Sequence, residues 1–260
     1  MSRHLCSAVC ASGVLVLGCW ATLAGSQDRT GGPPAMAASV PRLPGGRPDL
    51  NGVWMGPYVP DMTKTGRNQR GTSELPFTPA GLKDWQSYDA GKGDYTGSCM
   101  PFGLSRSINA PYPLQIVQTS KSVVLLFEVN NWFHPVLMDG REHPKDLEPS
   151  WFGHSIGKWD GDTLVVDTIG VHDWTKLDTI GHPHSENLHL VTTFRRTDFD
   201  HMTFTVTVDD PETYTKPWTN ERTFRRLDGE LIEYSCMENN KDLREGHIKF
   251  WVPPAPKKSR

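Results

Sequence analysis

A chain of 260 residues, 37% hydrophobic and 22% charged, has enough apolar surface for one sizeable core. Its formal net charge of −3, with no long Lys/Arg block, excludes a general electrostatic grip on nucleic acid. No GxGxxG follows a strand, and there is no P-loop or CxxC, so no cofactor is expected and thioredoxin-like chemistry has no support.

Residues 1–26 read as an export signal: Arg3 and His4 precede an apolar run from Ala8 to Leu23, and Ala24-Gly25-Ser26 supplies the small residues of a cleavage site. The run is short for a bilayer span. Val16-Leu17-Gly18-Cys19 resembles a lipobox, so a lipid anchor at Cys19 is the alternative. Either way the protein is expected outside the cytosol, periplasmic or extracellular, with no other hold on a membrane. Three of the five cysteines fall in this segment, leaving Cys99 and Cys236, which in an oxidising compartment are most simply a disulfide. Residues 27–47, rich in Gly, Pro, Ala and Ser, read as a disordered tether; 48–252 as one domain; 253–260, with Lys257, Lys258 and Arg260, as a tail.

The domain opens irregularly, with one short helix at Thr78–Tyr88, where Thr78 can cap and Pro79 can occupy the first turn. Strands follow at Leu114–Thr119, Ser122–Val129, Trp132–Met138, Phe152–Trp159, Thr163–Ile169, Leu188–Arg196, Met202–Val208, Thr219–Leu227 and Leu231–Cys236. Phe204, Val206 and Val208 alternate with Thr203, Thr205 and Thr207, the mark of a sheet packed on one face. The fold class is therefore all-β, an antiparallel meander closed or strongly curved into a lipocalin/calycin-like barrel. In a pure meander alternate links fall at opposite ends. That places the short links Asn130-Asn131, Asp160–Asp162, Thr197–His201 and Asp228-Gly229 at one end, and the long ones, Asp139–Trp151, Val171–Asn187 and Asp209–Trp218, at the other.

The long links are dense in titratable groups, and seven of the ten histidines lie between His134 and His189. Imidazoles and carboxylates gathered at one mouth supply acids and bases near neutral pH. His154 and His184 are the candidate bases, with Asp139, Asp173 and Glu186 as acids or orienting groups. His154 shares the parity of Phe152 and Ile156, which in a hollow barrel points it into the cavity. His172-Asp173 pairs an imidazole with a neighbouring carboxylate. Arg141 and Tyr214 are candidates to hold a substrate oxygen, and Trp151, Trp174 and Trp218 to wall an apolar pocket. In an extended segment His182, His184 and Glu186 face one side, compatible with an acid–base relay or, with His189, a metal site; no HExxH or paired-Cys spacing supports the metal.

PDLNGVW (48–54), LPFTP (75–79), MDGREHPK (138–145), HSIGKWDGDTLVVDT (154–168), GHPHSE (181–186), DDPETYTKPW (209–218) and the segment Glu233–Asp242 resemble a large family of secreted bacterial proteins, most of them hypothetical. The resemblance spans nearly the whole mature domain and implies one exported module, without a catalytic assignment. Gly52-Val53-Trp54 is also similar to the Gly-x-Trp start of lipocalin-type barrels. Three functions fit these residues: a cofactor-independent enzyme doing acid–base chemistry on a small, partly apolar molecule in a barrel pocket (elimination, cyclisation, isomerisation or hydrolysis); a lipocalin-like carrier of a hydrophobic small molecule; or a metal-binding protein using His182, His184 and Glu186.

Overall fold

Alternating side chains make each strand two-faced, and a computed structural model shows where the apolar faces meet. It describes residues 39–92 and 94–254; the expected export signal, Cys19 and the basic end at 257–260 lie outside these. Ten strands form one sheet: β1 (Gly52–Met55), β2 (Gln69–Arg70), β3 (Leu114–Gln118), β4 (Ser122–Phe127), β5 (Phe133–Leu137), β6 (His154–Asp160), β7 (Thr163–Ile169), β8 (His189–Arg196), β9 (His201–Asp209) and β10 (Trp218–Leu227). Neighbours run β1-β3-β4-β5-β6-β7-β8-β9-β10, and β1 also pairs with β10, so nine strands close into a barrel and β2 is added along β10. The all-β barrel expected from the sequence is the fold.

One pairing departs from a meander. β5 and β6 are parallel and meet at only two positions, Val136↔Ser155 and Leu137↔Ile156. Pro135 in β5 has no N–H to give a ladder, which keeps this seam thin. A parallel neighbour requires a crossover, so residues 138–153 leave one end of the barrel, run along its wall and re-enter at the other. This corrects the sorting of loops: 170–188 and 210–217 share an end, which we call the rim, together with the short link at Asn130-Asn131 and the last part of the crossover. Asp139 and Arg141 start the crossover at the opposite end.

The expected strand Leu231–Cys236 does not form. The free side of β10 is already taken by β1 and β2, so no edge remains for it. The segment is held instead by side chains: Glu128 Oε2 accepts from Ile232 N at 3.1 Å and Asn130 Oδ1 from Cys236 N at 2.6 Å. Residues 41–48, expected within the tether, are a closed turn on the barrel. Arg42 makes a two-pronged bond to Asp162, at 2.8 and 2.6 Å, and Arg47 Nη1 donates to Gly161 O at 2.9 Å.

The barrel interior is filled. Phe194 packs edge to face on Phe204 at 5.1 Å and Phe204 lies tilted against Phe224 at 5.6 Å, within a core that includes Leu164, Val166, Leu190, Val206 and Val208. Two polar elements cross it. His134 Nε2 lies 2.6 Å from Ser155 Oγ, itself 2.5 Å from Thr168 Oγ1, stitching the thin β5–β6 seam to β7 from inside. Arg222, fully buried, donates from Nε to Asn220 Oδ1 at 2.6 Å and lies over Phe204; burial draws its pKa down to about 9. The void beside Arg222 is about 10 Å³, room for about one water.

The rim is built from irregular chain. α1 (Pro79–Ser87) starts as expected, with Thr78 Oγ1 accepting from Gly81 N at 3.0 Å and Pro79 in the first turn. Gly81 is required there: a Cβ would stand 2.2 Å from Thr213 O, so only glycine lets the helix lie on the 210–217 loop. α2 (Leu104–Asn109) and α3 (Lys241–Arg244) complete the α-helices among the described residues. Cys99 and Cys236 are bonded across 137 positions and tie the C-terminal segment to the chain before α2. Opening the disulfide, by replacing both cysteines with serine, is expected to lower the unfolding free energy by about 4–5 kcal/mol, read from the shift in urea midpoint. A shift under about 1 kcal/mol would mean that the closed loop scarcely constrains the unfolded chain.

Candidate functional site

Two fully buried carboxylates fix the rim loops. Asp178 accepts from Met62 N (2.9 Å), Gly181 N (3.2 Å), His182 N (3.1 Å) and His182 Nδ1 (2.6 Å). Asp210 accepts from Ser185 N (2.6 Å), Ser185 Oγ (2.8 Å), Glu212 N (3.2 Å) and Thr213 N (3.3 Å). A buried carboxylate tolerates desolvation only when donors surround it, so each also pins two chain segments together. The turn at Gly181, with φ +92°, lies against the ring of Tyr88, where a Cβ would collide at 2.0 Å.

These anchors absorb the histidines of GHPHSE. His182 binds Asp178 and stacks on Trp85 at 4.4 Å. His184 Nδ1 donates to Ser185 O at 2.9 Å, which leaves Nε2 to accept from Thr175 Oγ1 at 2.7 Å. Both its nitrogens are engaged, and burial pushes its pKa down to about 4. Glu186 is exposed and His189 points to Asp167, so His182, His184, Glu186 and His189 share no common point for the metal-binding alternative. Asp61, Asp178 and His182 do approach one another within 4.8 Å, but both Asp178 oxygens are already occupied by the donors above.

Between α1, the end of the crossover and the two rim loops lies a cleft of about 820 Å³. It is lined by Asp84, Glu148, His172, Asp173, Trp174, Lys176, His184, Glu186, Glu212 and, from the C-terminal segment, Trp251. His172 lies flat on Trp174, ring centroids 3.9 Å apart at 8°, and its buried Nδ1 has no hydrogen-bond partner among the described residues. Burial draws its pKa below the usual imidazole value, against the opposing pull of Glu186 and Asp173. Asp173, Glu186, His184 and Trp174 are thus brought to one cavity. Trp151 stands behind its wall, 5.7 Å from Trp174 and 5.8 Å from Trp251. Tyr214 and Trp218 belong instead to the core, Tyr214 donating its hydroxyl to Pro183 O at 2.8 Å. Asp139 and Arg141 bind each other on open surface away from the rim.

A second cluster escaped the sequence reading. His154 faces outward, since its neighbour Ser155 points in, and it does not reach the interior as a hollow barrel would have it. On the outer wall its Nδ1 lies 2.8 Å from Nδ1 of His143, carried there by the crossover. His143 Nε2 is 3.1 Å from Asp167 Oδ1, which is also 3.0 Å from His189 Nε2. With Asp167 ionised and accepting, His143 Nδ1 must in turn accept the proton on His154 Nδ1, an ordered chain of imidazoles. Burial, then the nearby His143 and Arg141, lowers the pKa of His154. His143 and Asp167 become legible only once β5 and β6 are known to be parallel.

No family model matches the chain, and no curated protein matches it; the geometry carries the functional reading. No helix among the described residues is long and apolar enough to cross a membrane.

Two outcomes follow. His143→Ala should free the crossover: amide exchange across residues 139–149 rises while β7–β10 stay protected, with a loss of about 1–2 kcal/mol. Unchanged exchange there would show that the imidazole chain does not strap the crossover. The second concerns pH. His134, by burial and then by the nearby His154, is lowered to about 4, as is His184 by burial, against 6.5 for a free imidazole. Between those values the unfolded chain holds protons that the folded one does not, so stability is full above about pH 6.5 and falls as pH drops toward 4. Each can contribute up to about 3 kcal/mol. Urea midpoints measured across this range should slope less steeply in His134→Gln; an unaltered slope would assign the loss to other groups.

Proposed function

We propose that this chain is an exported, cofactor-independent enzyme that moves protons on a small, partly apolar organic molecule held in the rim cleft, with His172 as the general base. The observation that carries the reading is the state of His172: it lines an 820 Å³ cleft, its pKa is lowered so that the neutral form prevails at neutral pH, and its ring is held by stacking on Trp174 with no side-chain hydrogen bond among the described residues. His184, satisfied on both nitrogens, is a positioning residue that holds the loop behind it. Asp173 and Glu186 act on His172 through space, stabilising the imidazolium that forms when it takes a proton, and His172 then holds that proton for return to the product. Trp174 and Trp251 supply an aromatic corner for the substrate body. Elimination, isomerisation, cyclisation and hydrolysis all need this transfer, and the cleft is common to them. Export is supported by the Cys99–Cys236 disulfide, a bond that persists in oxidising compartments.

The test is a substrate screen run in parallel on the native chain and on His172→Ala, His184→Gln and His154→Ala. For any substrate turned over, His172→Ala is expected to lose about 10²–10⁴ in kcat, with His154→Ala near native and His184→Gln reduced mainly in stability. Retained turnover in His172→Ala, with loss in His154→Ala, would move the reaction to the outer-wall imidazoles and end this reading.

A further inference from the structure

The cleft combines an aromatic corner with one sign of charge. Five carboxylates line it, Asp84, Glu148, Asp173, Glu186 and Glu212, against a single lysine, Lys176. That ammonium is already committed: its Nζ is 3.4 Å from Asp84 Oδ2 and lies over the Tyr88 ring at 5.8 Å. Among the described residues, Glu148, Glu186 and Glu212 are in no ion pair, and Glu212 Oε1 accepts only a neutral amide proton, from Asn187 Nδ2 at 2.6 Å. With Lys176 and Asp84 cancelling, the remaining charge facing the cleft is negative. The aromatic half is independent of this. Trp174 and Trp251 both line the cavity, with ring centroids 5.9 Å apart at 59°, two π-faces meeting at a corner.

We infer that the cleft selects an organic cation, a molecule with a quaternary or alkylated ammonium group or a comparable spread positive charge seated against Trp174 and Trp251. The inference narrows the substrate class and rests on the cleft being the reaction site. A spread cation gains from the ring quadrupoles and from the surrounding carboxylates at once, and loses little hydration on entering. An anion is repelled by the same lining, and a neutral apolar molecule gains only the aromatic contact. A base beside a bound cation is also well served, because positive charge on the substrate acidifies neighbouring C–H and N–H bonds.

The probe is choline, compared with its uncharged carbon isostere, in which a tert-butyl group replaces the trimethylammonium. Each is titrated into the full chain and followed by tryptophan emission. Choline is expected to saturate about tenfold more tightly than the isostere and to weaken at high salt. Trp174→Leu should abolish the response, and the combined Glu148→Gln, Glu186→Gln and Glu212→Gln variant should reduce the preference to near equality. The single Glu186→Gln, with its melting temperature checked against the native chain, gives a partial effect that misfolding cannot mimic. Equal response to both probes, or no saturable response to choline, overturns the inference. His172→Ala separates this from the catalytic reading: choline preference retained with turnover intact sinks the base and leaves the cation, whereas His172-dependent turnover of a neutral substrate without choline preference does the reverse.

Discussion

The barrel closes through β1, a strand of four residues that serves both edges of the sheet. Gly52–Trp54 pair with β3 while Val53–Met55 pair with β10. Trp54 is wholly buried beneath it, its Nε1 donating to Leu50 O at 3.0 Å and its ring 5.2 Å below the Arg196 guanidinium. Arg196 in turn donates to the Asp49 and Phe199 carbonyls, each at 2.5 Å, so the entry to β1 is locked to the turn after β8. Without this strand, β3 and β10 would be open edges, each a row of unpaired N–H and C=O groups. Closure is also what denies Leu231–Cys236 a place in the sheet and sends the chain back toward the rim, where Cys236 meets Cys99 and Trp251 reaches the cleft.

Closure fixes the strands, and the parallel β5–β6 seam then decides which loops meet. Had the strands formed a pure meander, the Asp139–Trp151 link would have stayed at one end with the other long loops. Instead it travels the height of the barrel. Its beginning, Asp139 and Arg141, is spent on a surface ion pair; its middle carries His143 onto the outer wall; its end brings Glu148 and Trp151 to the rim. One connection therefore supplies three different neighbourhoods, and the crossover rather than the barrel interior separates the outer imidazole chain from the cleft.

Most of the barrel could be read directly because alternation within a strand is a local property: Val206 and Thr207 declare their faces without help from distant chain. The capped helix at Thr78 and the cysteine pair were legible for similar reasons, one a local hydrogen bond and the other a matter of counting. The site was only partly so. Asp173, Trp174, His184 and Glu186 all lie on the single loop between β7 and β8, so the chain itself already groups them. Asp167 gave no such signal, since an outward acid in a strand looks like any solvated residue until His143 is known to arrive from a crossover. Tyr214 and Trp218 misled in the opposite sense: they sit on a long loop and its following strand, yet the loop folds inward and buries both. Trp251 lay near the end of the expected domain, and its role appears only when the disulfide draws that segment back.

The distribution of histidines at the rim follows from how an irregular loop is made rigid. Loop backbone has no ladder to satisfy its N–H groups, so Asp178 and Asp210 are buried to collect them, four donors apiece. Burying those acids requires further polar partners close by, and imidazole fits because it can donate on one side and accept on the other. His182 partners Asp178 through Nδ1, while His184 has both nitrogens engaged, by Ser185 O and Thr175 Oγ1, and so has no capacity left for chemistry. His172 sits on the same loop but is held by stacking on Trp174 instead of by side-chain hydrogen bonds, which fixes the ring plane. A base must be positioned without being satisfied. Of the two imidazoles that line the cleft, only His172 meets both conditions.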